Sequence, residues 1–114
     1  MLFRSHTIIP PGKLGDFSLD RLRGEPDAEA LKVGGWAYCL MWSRDVSEEA
    51  AGAFAARVEA DWLVTGHIVC EAGHAWANSR QIILDTHANP ACCLLVPTSI
   101  PLSREAIEAG IQTW

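Results

Sequence analysis

The chain has 114 residues, 49% apolar and 20% charged, with a formal net charge of −5. This composition is that of one globular domain, and it excludes a disordered segment or two independent cores. An acidic balance with Arg well ahead of Lys excludes a nucleic-acid backbone as principal partner, and no window approaches the ~18 apolar residues of a membrane span.

The opening residues lack a secretory-leader pattern, because their apolar runs are short and Pro10-Pro11 interrupts them. A cytoplasmic protein is therefore expected. Abundant Ala and the preference for Arg over Lys suggest a bacterial gene of high GC content. Cys39, Cys70, Cys92 and Cys93 lie in apolar runs without framework spacing and read as buried free thiols. Residues 1–32 read as a poorly patterned N-terminal arm, rich in Pro, Gly and alternating charge, with a helical turn opening at Pro26.

After Gly34-Gly35, the uncharged run Trp36–Trp42 reads as a strand. Trp36, Tyr38, Leu40 and Trp42 would share one face, and Ala37, Cys39 and Met41 the other. A helix is the alternative, since Ala, Leu and Met tolerate it. Ser47 then caps a main helix over 47–60, with Glu48 and Glu49 in its first turn, where the helix dipole favours anions. Its apolar stripe is Val46, Ala50, Ala53, Phe54, Val58 and Trp62.

Strand signals follow at Leu63–Glu71, Arg80–His87 and Cys92–Pro97, separated by turn chemistry at Gly73, Asn78-Ser79 and Asn89-Pro90. Strands so closely spaced are expected to pair antiparallel. Ser103 caps a last helix. The expected fold is a single α+β domain, with an antiparallel sheet of roughly four or five strands on the helix 47–60 and a second helix at the C-terminus.

The polar groups that need explaining are His67, Cys70, Glu71, His74, Asp85 and His87. If the chain turns at Gly73-His74, His67 comes near Arg80. If it turns at Asn78-Ser79, Cys70 lies opposite His87 and Ala72 opposite Asp85. Cys70, His74, Asp85 and His87 would then share one face and could hold zinc. A slip of one residue undoes this arrangement. Their spacing matches no standard zinc motif, so no metal is assigned, and nothing calls for a cofactor. There is no Gly-x-Ser-x-Gly elbow, and Gly12-Lys-Leu-Gly15 lacks the strand and helix of a phosphate loop. Trp36, Trp42 and Trp62 are expected in the core. Trp76 reads as a ligand wall or subunit interface, and with Trp114 it suggests a homo-oligomer. His67, Trp76, Asp85 and His87 are the candidate ligand-binding residues.

The segments Thr65–Trp76, Ile82–Asp85 and Ala91–Pro97 resemble the C-terminal half of hotdog-fold proteins of the acyl-CoA thioesterase kind. The resemblance implies an antiparallel sheet wrapped round one long helix and a homodimer paired at sheet edges. It also implies an acyl-thioester site at the dimer interface, served by a carboxylate on the helix. Asp45, Glu48 and Glu49 are the residues onto which that role falls, as base or nucleophile. The expected function is acyl-thioester binding or hydrolysis. The alternatives are a non-catalytic domain that takes a small apolar ligand or a protein in a Trp-rich cleft, or an inhibitor using the acidic face of the helix.

Overall fold

The computed structural model describes residues 1–114. No helix is long and apolar enough to cross a membrane. The fold is α+β, but the main sheet is mixed rather than antiparallel. Its strands are β1 (Leu2–Arg4), β2 (Trp62–Thr65), β3 (His74–Trp76) and β4 (Gln81–Leu84), in the spatial order β1-β2-β4-β3. β1, β2 and β4 run parallel, and only β3 is antiparallel to its neighbour. The expectation of an antiparallel sheet failed at two places: β1 lay in the arm, and β3, which follows β2 in the chain, pairs on the far edge of β4, so that β2 and β4 run parallel. Two short strands joined by a long helical crossover pair parallel. A separate antiparallel ribbon joins β5 (Cys92–Leu94) to β6 (Ile111–Thr113).

Both faces of the main sheet are covered, so β2 is apolar without clean alternation. On one face, Phe3 and Leu63 pack under the helix α4 (Glu48–Arg57) through Ala50, Ala51, Phe54, Ala55 and Val58. Small alanines let α4 lie close to the sheet. Ser47 caps it as expected, its hydroxyl accepting from Ala50 N–H. The helix stops at Arg57, short of residue 60, where Glu59 takes a left-handed conformation (φ 56°). On the other face, Val64, Ile82 and Ile107 form a smaller cluster beneath α5 (Arg104–Ala109), capped by Ser103.

The arm 1–32 is part of the core, not an appendage. It forms a 3-10 turn (Pro11–Lys13) and the helices α1 (Leu19–Arg23) and α2 (Ala28–Leu31), and contributes Ile8, Ile9, Leu14, Phe17 and Ala30 to the main cluster. Arg57, an exposed residue at the end of α4, donates to the carbonyls of Leu14 and Phe17 and pins the arm to the helix.

Residues Trp36–Trp42 form a helix, α3, rather than a strand. The run contains no β-branched residue, and its buried members Trp36 and Cys39 are three apart, which is helical spacing. Trp36 is therefore core, Trp62 is half-buried, and Trp42 is out of the core at 61% exposed. Cys39, Cys70 and Cys92 are buried free thiols, and Cys93 is half-buried.

Of the two turns considered, the one at Asn78-Ser79 joins β3 to β4, and the register differs by one residue from the pairing of Cys70 with His87. Gly73, not Ala72, faces Asp85, and its carbonyl accepts from Asp85 N–H at 2.8 Å. Gly73 is left-handed (φ +83°), and a Cβ there would meet Cys92 Sγ at 2.5 Å and the Pro90 carbonyl at 2.6 Å. Gly73→Ala is expected to cost about 2–4 kcal/mol from backbone strain plus overpacking. The check is a lower urea midpoint at unchanged slope. Gly52 in α4, with open space where its Cβ would be, is the control. Gly52→Ala is expected to gain about 0.5–1 kcal/mol from helix propensity.

Candidate functional site

The parallel strands β1, β2 and β4 all end at one edge of the sheet. In open α/β sheets this carboxyl edge is where ligands bind, because chain leaving the strand ends opens a crevice there. Two loops meet at it. One is Ser5-His6-Thr7 after β1, and the other is Gly66-His67-Ile68 after β2.

Hydrogen bonds hold both loops. Thr7 is buried, its N–H donating to the Leu40 carbonyl and its hydroxyl to the Cys39 carbonyl at 2.7 Å, which fastens the first loop to α3. Gly66 N–H donates to the His6 carbonyl at 3.1 Å and ties the loops together. His67 sits at the apex of a γ-turn: its φ is 68°, and Ile68 N–H donates to the Gly66 carbonyl at 2.8 Å. Turns of this hand are rare and strained, and such strain concentrates where a side chain must be aimed.

The aim is at His6. His6 Nε2 and His67 Nδ1 are 2.9 Å apart, while the ring centres are only 4.6 Å apart. A straight N–H···N bond of that length would hold the ring centres about 5.2 Å apart. The two nitrogens are joined by a hydrogen bond that is bent rather than straight, with the ring planes tilted by 57°. A divalent ion about 2.05 Å from each nitrogen would see them at about 90° and would place the ring centres about 4.5 Å apart. No three His, Cys, Asp or Glu side chains converge on one point, so the remaining positions would fall to water and substrate.

The surroundings are electropositive. An open cavity of about 450 Å³ is lined by Arg4, Ser5, His6, Val64, Thr65, Gly66 and Leu84, with no carboxylate among them. Trp42 meets His67 edge-on, ring centres 5.9 Å apart. Burial pushes the His67 imidazole below its usual range, helped by the charges of His6 and Arg44. That keeps the ring neutral near pH 7, with a lone pair to offer.

The other expected site residues lie elsewhere. Asp45 accepts from Ser47 N–H at 3.0 Å in the turn before α4. Glu48 accepts from the Ser79 hydroxyl and N–H, both at 2.7 Å, and these bonds hold its carboxyl below the usual range. Glu49 is exposed. None of the three lines the cavity beside His6. Trp76 is half-buried between Trp62, 5.9 Å away edge-to-face, and the Arg104 guanidinium, 4.2 Å above its ring. His87 is exposed. The group Cys70, His74, Asp85 and His87 does not assemble for zinc. His74 Nδ1 meets Cys92 Sγ at 3.5 Å instead, and Asp85 is engaged with backbone.

Asp85 accepts from Cys70 N–H at 3.0 Å and His87 N–H at 2.9 Å, and these bonds hold its carboxyl below the usual range. A depressed folded value stabilises above the unfolded value near 3.9 and loses that contribution as pH falls through the folded one. Asp85→Asn is therefore expected to be less stable than the parent at pH 7, with the gap narrowing below about pH 4. Urea unfolding at pH 7 and pH 3 checks this.

Sequence reasoning missed His6. A signal existed: Leu2-Phe-Arg-Ser-His6 and Leu63-Val-Thr-Gly-His67 share one pattern, two apolar residues, a polar one, a small one, then histidine. Comparison with family models, curated proteins and solved structures finds no match for this chain.

Proposed function

We propose that this chain is a metal-assisted hydrolase of a small anionic ester, working at His6 and His67 on the carboxyl edge of the parallel strands. The observation that carries this reading is the close approach of the two ring nitrogens, 2.9 Å apart, beside a cavity lined by Arg4 and free of carboxylates. A divalent ion held there would polarise the ester and lower the pKa of a bound water. His6 and His67 would hold the ion, and the chemistry it would supply is an activated water for hydrolysis of the ester, with the alcohol as the leaving group. Arg4 and Arg44 supply positive charge that draws an anion toward the imidazole pair.

The test is calorimetric titration of the metal-free protein with Mn²⁺ and with Zn²⁺. It is followed by assay of phosphate, sulfate and carboxylate esters and of acyl-CoA, with and without the bound ion. One ion per chain is expected, lost in His6→Ala and in His67→Ala, with metal-dependent turnover of an anionic ester. Absence of metal binding, or binding indifferent to both substitutions, overturns the proposal. Turnover of acyl-CoA that survives both substitutions but not Glu48→Gln with Glu49→Gln would overturn it in favour of the acyl-thioester reading.

A further inference from the structure

A second cavity, of about 430 Å³, lies where the 3-10 turn, α1 and the turn between α2 and α3 meet, and it shares no lining residue with the cavity at His6. Three cations and three carboxylates line it: Lys13, Arg21 and Lys32 against Asp16, Asp27 and Glu29. Half of them are already engaged. Lys32 pairs with Glu29, and Asp27 accepts from Ala30 N–H as the cap of α2. Lys13, Arg21 and Asp16 take part in none of the chain's ion pairs. Two cations without a partner therefore share a polar hollow with one such carboxylate. Gly34 makes the room for Lys13, whose Nζ lies 3.3 Å from where a Cβ on Gly34 would stand. Gly34 is left-handed (φ +86°) at the third position of a tight turn closed by Gly35 N–H on the Lys32 carbonyl at 2.8 Å. In that turn the backbone N–H groups of Lys32, Val33 and Gly34 donate to nothing in the chain. The wall behind the hollow is core: Leu14, Phe17, Ala30 and Trp36 are buried, and Arg57 holds the Leu14 and Phe17 carbonyls. The segments that carry Lys13 and Arg21 are thus anchored before a ligand arrives, which lowers the ordering cost of binding.

We propose that this cavity binds a small hydroxylated anion of the sugar-phosphate kind, its phosphate held by Lys13 and Arg21 and its hydroxyls donating to Asp16. The unmet charge decides the anion, since two cations lack a partner and contacts between ionised groups are the strong ones. Asp16 decides the hydroxyls, because a carboxylate repels a bare phosphate but accepts from a hydroxyl carried beside it. The free N–H groups of the Lys32–Gly34 turn add donors for the remaining oxygens. Only Ala30, Val33 and Trp36 are apolar in the lining, so there is no wall for an apolar ligand. Gly12-Lys-Leu-Gly15 lacks the frame of a phosphate loop, and the grip comes instead from side chains on separate elements of the arm.

Calorimetry of the metal-free protein with glucose 6-phosphate, inorganic phosphate and glucose reads the two halves of the site. Glucose 6-phosphate is expected to bind at one per chain, about tenfold tighter than inorganic phosphate and far tighter than glucose. Lys13→Met and Arg21→Gln are each expected to weaken both phosphates about tenfold, the size of one charge-assisted contact. Arg23→Gln removes an equal charge that is paired with Asp20 and lies outside the cavity, and it is expected to leave both within about twofold. Asp16→Asn is expected to tighten inorganic phosphate while shrinking the preference for glucose 6-phosphate. All four side chains are exposed, so urea midpoints should match the parent's. The proposal is overturned by glucose 6-phosphate affinity weaker than about 1 mM, by inorganic phosphate binding equally well, or by Arg23→Gln weakening binding as much as Arg21→Gln. His67→Ala is expected to leave glucose 6-phosphate binding unchanged, and a loss there would overturn the proposal by placing the ligand at the other cavity.

Discussion

Phe54→Ala is expected to remove about 3–5 kcal/mol of folding stability, the range for deleting a fully buried aromatic ring. Phe54 is 0% exposed at the centre of α4. It meets the Phe3 ring edge-on at 5.7 Å and stacks on Phe17 at 5.9 Å. These contacts join three parts of the chain: edge strand, arm and helix. The walls of the resulting void are held by sheet pairing on one side and by the Arg57 bonds to Leu14 and Phe17 on the other, so collapse into the space is limited. A domain of this size has about 5–15 kcal/mol in total, and the variant is expected to sit near the threshold of folding. Urea denaturation followed by circular dichroism measures it. A loss under about 1 kcal/mol would mean that the core closes over the gap.

His67→Ala is expected to have the opposite profile, a large functional loss at little structural cost. Removing a partner that merely orients a metal ligand lowers affinity about 10–100-fold, so removing one of two ring nitrogens is expected to cost at least about a hundredfold in affinity for a divalent ion. Stability should change by less than about 1 kcal/mol, because the ring is at the surface and alanine in the same left-handed turn relieves no strain. Titration with Mn²⁺ beside a urea melt reads both quantities. Unchanged ion affinity, or loss of folding comparable to Phe54→Ala, would contradict this prediction. His6→Ala should match His67→Ala in ion affinity, since the two nitrogens act as a pair.

The helix α4 and the cap of α5 were legible from local pattern, through Ser47 and Ser103 and the small apolar residues that follow them. The Asn78-Ser79 turn was legible for the same reason. The nature of Trp36–Trp42 was not, because a short run apolar on every side carries neither a two-residue nor a 3.6-residue period. Gly35 sets its placement: a Cβ there would run into the Ala30 and Glu29 carbonyls, so only glycine lets the chain enter α3 this tightly against α2. The register of the β3–β4 hairpin was open between two turns in the sequence, and the observed one differs by a single residue from the pairing that would group Cys70, His74, Asp85 and His87. Side-chain parity makes any group assembled across strands that sensitive.

The candidate site divides the same way. His67 stood out in the sequence as a polar residue at the end of an apolar run, and Asp45, Glu48 and Glu49 stood out as acids at a helix start. The acids' partners, Ser47 N–H and Ser79, satisfy them where they are. His6 drew no attention, because β1 is three residues long and lies in a stretch without pattern.

What the sequence determined by itself was everything decided within about one helical turn: caps, a tight turn, the amphipathic face of α4, and thiols set in apolar runs. Only the tertiary structure decided that β1 and β2 lie side by side in parallel and bring His6 to His67, residues 61 apart in the chain. Closing so long a loop has an entropic cost that no local signal reveals. Here the offsetting burial comes from the arm's own Ile8, Ile9 and Phe17 beneath α4. The same packing that makes the arm part of the core also places its histidine at the sheet edge.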